Sequence, residues 1–341
     1  MKKSNNLFET LHCHTKISDG NMTYEEVLEL CGKYKIGTVA FTDHDSLPDN
    51  KSYKKLKDLK NISTKWVVGI EISADKPKDF AVDFTPHIVG LFVDPYNRKL
   101  IKHCNLAQEA RRKRMSEMVK HLKKLGFIIS EADCLNFSNG ESVGRPHIVQ
   151  AIKSKAYNLK IIEKLRKKMQ ADSKNNEKVK LKYDEMMKRG SDQYPYVLFL
   201  SDDSYIKGVY VDYIYRIDLD ACVEIIRGAG GAAFFAHWFT EIKKCKEDDI
   251  EKLLKEGRLD GVETVYGLYD DIKDKFLDQR KILRNLIERY NKLESGGVDA
   301  HLKEHLIEFS ENNWYARLTK GFAERMIESG KVDANWSSYQ I

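Results

Sequence analysis

A largely parallel α/β sheet or barrel is the fold class this sequence predicts, and three observations predict it. Strand-like apolar runs alternate with amphipathic helical segments through the first half of the chain. An apolar share of 42% in 341 residues is enough to fill a sizeable core. Polar residues able to do chemistry gather at the C-terminal ends of the predicted strands, the edge where loops converge in such folds.

The elements follow in order. LFETLHCHT is rich in strand formers. TYEEVLELCGKYK reads as an amphipathic helix with Thr23 as N-cap and Glu26 closing a capping box, and GTVAFTDHD is a short apolar run ending in polar residues. Those three pieces make one β-α-β unit. A helix around Ser52 to Leu59 comes next, then the strands WVVGIEISA and PHIVGLFVD, then a long charged helix from about Leu100 to Leu125 that stops at Gly126. GRPHIVQAIKSKA leads into basic helices. YRIDLDACVEIIRGAGG resumes with a helix before the apolar strand GAAFFAH, and GRLDGVETVYG gives another strand. The stretch from Tyr269 to Glu294 reads as helical up to SGGVDAH, and the last residues read as helices with a polar tail.

Composition excludes several classes. Only 6 Pro and 20 Gly rule out a collagenous or linker-dominated chain. No run of eighteen or more apolar residues is present, and MKKSNNLFET lacks a hydrophobic signal core, so a cytoplasmic protein without membrane contact is expected. The 6 cysteines form no C-x-x-C pair and read as mostly buried thiols. Net charge is +6, but Lys153 to Arg189 alone holds 13 Lys and Arg against 5 Asp and Glu, about +8. The basic excess is therefore local.

His12 and His14 stand two apart on the first strand, so both imidazoles point to one face and Cys13 to the other. Asp19 in the SDG turn can swing back toward that face. Asp43, His44 and Asp45 end the second strand, Glu71 ends the third, His87 begins the next, and later strand ends supply His237, Asp299 and His301. Singly, each has an ordinary reading as a turn residue or a hydrogen-bonded histidine. Together they hold most of the histidines, and burying so many imidazoles and carboxylates is costly without a cation. Mixed His, Asp and Glu donors suit zinc, manganese or iron, and nine such groups exceed one ion's coordination number, so two or three clustered ions are expected. Clustered ions activate water and clamp phosphate. Arg145 in GRPHI suits a bidentate grip on phosphate, the plainer reading being a helix entry with Pro146 in its first turn.

LHCHTKISDGNMTYEEVLELCGKYKIGTVAFTDHDSL resembles the opening of the polymerase and histidinol phosphatase (PHP) superfamily, in particular its small phosphoesterases acting on nucleoside phosphates and oligonucleotide ends. VVGIEISA, PHIVGLFVD, GRPHIVQAI, AGGAAFFAH and GGVDAH follow in the family's order, so the likeness runs from about Leu11 to His301. The resemblance implies a distorted seven-stranded (β/α)7 barrel with a trinuclear site, usually manganese, iron or zinc. It implies ligands at His12, His14, Asp19, His44, Glu71, His87, His237, Asp299 and His301, and an outer partner orienting a ligand at Asp43. Arg145 and His147 fall in its phosphate-contacting segment. The barrel is then expected in two parts, 7–152 and 216–310, with a basic helical cap insertion over 153–215 and a helical tail over 311–341.

Three departures stand out. Trp238 replaces the usual Pro after the strand-end His, where it could stack on a base. Leu302 follows the last motif in place of the usual Gly. The basic insertion is long, and as a path for single-stranded nucleic-acid ends it would present Lys164, Arg166, Lys167, Lys168, Lys178, Lys180 and Lys182. Hydrolysis of a nucleotide or of the 5′ end of a short oligonucleotide is the expected function. The alternatives are a histidinol-phosphate-type phosphatase and a nucleic-acid-binding module on a degenerate barrel. Oligomeric state is not set by the sequence.

Overall fold

The computed structural model describes residues 7–60, 62–138, 142–212, 215–267, 273–311 and 313–339. It divides into two compact units, one taking the chain up to Leu106 and again from Arg216, the other Ala107–Tyr215. In chain order the elements that matter are β1 (Phe8–Thr10), α1 (Tyr24–Lys33), β2 (Ile36–Phe41), α2 (Asn50–Asp58), β3 (Lys65–Ser73), β4 (His87–Leu91) and α3 (Arg98–Lys124). Then come α4 (Glu131–Phe137), α5 (Arg145–Lys153), α6 (Ala156–Ser173), α7 (Glu177–Lys188), α8 (Leu219–Gly228) and β5 (Ala232–Phe235). The short α9 (Trp238–Glu241), α10 (Glu247–Lys255), β6 (Gly261–Tyr266), α11 (Lys273–Tyr290) and β7 (Leu293–Gly297) follow.

The first unit is a seven-stranded sheet in the order β1 to β7, nearly closed into a barrel. Leu11 N–H donates to Gly296 O at 3.0 Å and Cys13 bridges Ala300 in parallel, which brings the end of β1 against the end of β7. Gly297 permits this approach, because a Cβ there would fall 2.6 Å from Thr10 Oγ1 and 2.7 Å from His12 N. Helices cover the outside, so β3 is buried at every residue after Lys65 and reads as a continuous apolar run. The capping box at Thr23 forms, with Thr23 N–H to Glu26 Oε2 at 2.7 Å and Glu26 N–H to Thr23 Oγ1 at 3.3 Å.

Two features differ from the sequence reading. β4 runs antiparallel to both β3 and β5, because the segment from Ala74 to Pro86 contains no helix to carry the chain back for a parallel crossover. Leu293–Gly297 is a strand where the helix was expected to continue to Glu294; a segment reading LESGG has no alternating apolar signal to betray it.

The basic segment belongs to a unit that begins at Ala107, well before Lys153, since α4 to α7 and the latter part of α3 share one core around Met118, Leu122, Ile148, Met169, Met186 and Phe199. The last residues pack into the first unit. Tyr315 is fully buried, Trp66 N–H donates to Ser338 Oγ at 2.7 Å, and Ser337 bridges Val67. All six cysteines are buried free thiols. Among the described residues no helix is long and apolar enough to cross a membrane.

Candidate metal centre

The nine residues singled out as ligands meet at one end of the barrel. His12 and His14 lie just past β1 with their Nε2 atoms 3.2 Å apart, while Cys13 between them is buried in the core. Glu71, on β3 and fully buried, stands at the middle of the group. Its Oε2 is 3.3 Å from His12 Nε2, 3.2 Å from His14 Nε2 and 3.0 Å from His44 Nδ1. Its Oε1 is 2.8 Å from His87 Nδ1 and 3.0 Å from His237 Nε2. Asp299 Oδ1 is 3.1 Å from His14 Nε2 and 3.3 Å from His12 Nε2. Asp19 does swing back, with Oδ1 3.3 Å from His301 Nε2 and Oδ2 3.9 Å from His44 Nε2.

Strand-end backbone aims these groups. His237 and Asp299 have φ of 34° and 55°, left-handed conformations that side chains other than Gly adopt at a cost, and such strain concentrates at functional sites. Asp43 accepts from Thr15 N–H at 2.7 Å, Thr15 Oγ1 at 2.8 Å and Ser18 Oγ at 2.7 Å. It thus holds the turn between His14 and Asp19.

Charge is balanced within the cluster. Burial would raise Glu71, but His44, His12 and His87 hold its carboxyl well below the usual range. Asp19 and Asp299 are likewise lowered against burial, by His301 and His44 in one case and by His12 and His301 in the other. For His14 burial works downward, and the nearby carboxylates of Asp299 and Glu71 carry it up to about 10. His12 lies well above its ordinary value against burial, through Glu263, Asp299 and Glu71, while burial lowers His87.

Sequence reasoning missed Glu263 on β6. It is fully buried, with Oε1 2.8 Å from His12 Nδ1 and Oε2 accepting His237 N–H at 2.8 Å. Its one signal was an acid inside an apolar strand, in GVETVY, without the strand-end position that singled out Glu71. His103, which fell outside the motifs, pairs with buried Asp45 at 3.3 Å.

Three overlapping groups of ligand atoms lie within 4.8 Å of one another: His14, Asp19, His44 and His301; His12, His14 and Glu71; His44, Glu71 and His87. The donors fit divalent cations. His44 Nδ1 and Asp299 Oδ1 are buried without a well-formed hydrogen bond although opposite-type atoms lie 3.0 to 3.5 Å away, as expected where donors face a shared centre rather than each other. These buried His and Glu clusters are consistent with the metal site of a PHP phosphoesterase.

A PHP domain model matches residues 10–332. The chain belongs to the PHP domain family. Among its curated relatives, phosphoribosyl 1,2-cyclic phosphate 1,2-diphosphodiesterase of Eggerthella lenta is 28% identical over 152 residues, which cover 44% of this chain and 56% of that protein. The 5′-3′ exoribonuclease Rnm of Salmonella typhimurium is 26% identical over 140 residues, covering 41% and 46%. The PHP chain spans about half the length of these relatives in each match. In fold it is similar to a candidate metal-dependent phosphoesterase from Bifidobacterium adolescentis, with a TM-score of 0.61 at 20% identity over 86% of this chain and 87% of that one. An amidohydrolase from Chromobacterium violaceum gives a TM-score of 0.57 at 21% identity, again over 86% and 87%.

Arg145 and His147 stand in the second unit, in the first turn of α5. His147 Nδ1 accepts Gly144 N–H at 2.9 Å and so caps that helix, and Arg145 donates to Leu200 O at 3.3 Å. Trp238 is not available to stack on a base: it is 2% exposed, and its Nε1–H is spent on Cys245 O at 2.9 Å. A large ring directly after a left-handed strand end is accommodated inward, where it gains apolar burial.

Proposed function

We propose that this PHP protein hydrolyses phosphate esters using two or three divalent ions, manganese first and iron or zinc next, held by His12, His14, Asp19, His44, Glu71, His87, His237, Asp299 and His301. The observation that carries the reading is the sharing of His14, His44 and Glu71 between the three ligand groups, which is what closely spaced ions require. Divalent ions, when bound there, would supply a hydroxide nucleophile near neutral pH and stabilise charge on the phosphoryl oxygens. The chain's own residues set the conditions. Glu263 keeps a proton on His12 Nδ1 and leaves Nε2 as the donor atom, Asp43 fixes the turn that carries Asp19, and the imidazole and carboxylate donors suit manganese, iron or zinc.

Nucleotides and the 5′ ends of short oligonucleotides are the proposed substrates, with Arg145 and His147 as phosphate contacts. The likeness to a 5′-3′ exoribonuclease and to a cyclic phosphate diphosphodiesterase supports a phosphodiester, and the basic excess of Lys153 to Arg189 supports a nucleic-acid end.

The test is exhaustive chelation followed by manganese addition, assayed on a mononucleotide, a cyclic phosphodiester and a 5′-phosphorylated oligonucleotide. Turnover should vanish with the metal and return with manganese. Turnover that survives verified metal removal overturns the reading.

A further inference from the structure

Tyr266, the last residue of β6, faces the candidate metal centre against the rule of strand alternation. Glu263 points inward, to His12, so a residue three further along a regular strand would point outward. The pairing of β6 with β7 steps from Glu263 opposite Ser295 to Val265 opposite Gly296, which leaves Thr264 as an extra residue. Thr264 turns to the outer face, where its Oγ1 donates to Glu294, a carboxylate that Arg280 of α11 also meets. Such a bulge reverses the alternation beyond it and re-aims the side chains that follow, and bulges gather beside active sites. Gly296 makes room for it, since a Cβ there would fall 2.5 Å from Val265 O. Tyr266 is thereby turned inward, and the centre of its half-buried ring lies 5.1 Å from that of the His237 imidazole.

β6 lies between β5 and β7, so a side chain at its end stands between the residues that follow those two strands. His237 comes just after β5 and Asp299 just after β7. Both have left-handed φ, of 34° and 55°, and conformations of that cost persist only where neighbours hold them. Burial first, and then the charges of Asp299, Glu71 and Glu263, hold the Tyr266 phenol well above its ordinary value, so at neutral pH it is an O–H donor amid acceptors. We propose that Tyr266 is a positioning residue of the metal centre, its ring bracing His237 and its hydroxyl donating to the Asp299 carboxylate, so that both side chains keep their aim at the ions. This role presupposes His237 and Asp299 as ligands, the reading proposed above. Tyr266 was not visible in the sequence, because alternation from Glu263 sets it on the outer face.

Equilibrium dialysis of manganese against wild type and Tyr266→Phe tests it, together with the melting of the metal-free proteins and the visible spectrum of the cobalt-loaded ones. Tyr266→Phe should bind manganese roughly tenfold more weakly and shift the cobalt bands while melting where the wild type does. In an Asp299→Ala background the same change should cost less than it does alone, because the hydroxyl then has no carboxylate to hold. Unchanged manganese affinity and an unchanged cobalt spectrum in Tyr266→Phe overturn the proposal even if turnover falls, for the hydroxyl then acts on substrate and not on the ligands. A loss as large in the Asp299→Ala background overturns Asp299 as the residue held. If Tyr266→Phe does not fold, Tyr266→Leu decides by the same readouts, unchanged affinity again overturning the role. A wild type that takes up no divalent ion overturns the ligand set and this role together. One that binds manganese but hydrolyses no ester counts against the function alone, and weaker binding in Tyr266→Phe then still supports the role.

Discussion

Glu263 reaches two of the proposed ligands at once, the imidazole of His12 at the end of β1 and the backbone of His237 at the end of β5. A carboxylate on the far nitrogen of a ligating histidine fixes its tautomer, and loss of such a partner lowers metal affinity by roughly 10- to 100-fold. Glu263→Gln keeps an oxygen for His12 Nδ1–H, so equilibrium dialysis should find most metal retained, whereas Glu263→Ala should bind it in that weaker range. His12→Ala or Glu71→Ala should lower metal content and turnover together, while Asp43→Asn should slow turnover with metal largely in place. Metal loss in Glu263→Gln and Asp43→Asn equal to that in His12→Ala and Glu71→Ala would show that Asp43 and Glu263 are ligands rather than supports. The nine proposed ligands and Asp43 could be read before the fold was known, because imidazoles and acids at strand ends are chemically conspicuous. Glu263 could not, because a lone acid in an apolar strand equally suits a buried pair with a base; only the folded chain, with Glu263 Oε1 2.8 Å from His12 Nδ1, shows what it faces.

Elements carry a different kind of information. The β-α-β opening and the buried strands were legible from apolar runs, since a strand covered on both faces has to be apolar throughout. The reversal of β4 and the strand LESGG were not, because direction and closure depend on connections and on glycines rather than on periodicity. Gly297→Ala should therefore cost about 3 kcal/mol in denaturant unfolding, as the backbone of Leu11 and His12 would have to move along with the Thr10 hydroxyl. Glu9 on β1 offers a pH test at the same scale. It is 4% exposed, and burial raises its carboxyl to about 7 from 4.5, against the Ala323 N–H that it accepts at 2.9 Å. The folded state thus holds the proton more tightly than the unfolded chain. Its stabilisation is complete below about pH 4.5 and lost as pH rises through about 7. The difference in unfolding free energy between wild type and Glu9→Gln should change by up to about 3 kcal/mol over that window, and a flat difference would refute it.

At the scale of the whole molecule the two units differ in charge as well as in core. The 13 Lys and Arg against 5 acids between Lys153 and Arg189 give about +8, in a chain whose total is +6. Not all of that charge is free. Arg166 is held by Glu163 at 2.7 Å and by Tyr183 Oη at 2.9 Å, Lys167 lies 3.7 Å from Glu163, and Lys182 is 2.8 Å from Asp203. Lys164, Lys168, Lys178 and Lys180 are exposed, and none has a carboxylate at ion-pair distance among the described residues. These four are the ones that a nucleic-acid backbone would use, and each phosphate they neutralise releases condensed counterions. Changing all four to Glu should weaken a 5′-phosphorylated oligonucleotide and flatten its salt dependence while leaving a mononucleotide unaffected, because a single phosphate does not extend along the surface. Measured between 50 and 200 mM salt, the loss of slope should be about 3, since each single-strand phosphate contact contributes roughly 0.7 to the log–log slope. Equal effects on oligonucleotide and mononucleotide, with shallow salt dependence for both, would make the four lysines a solvated helix face and assign the chain to small phosphorylated molecules.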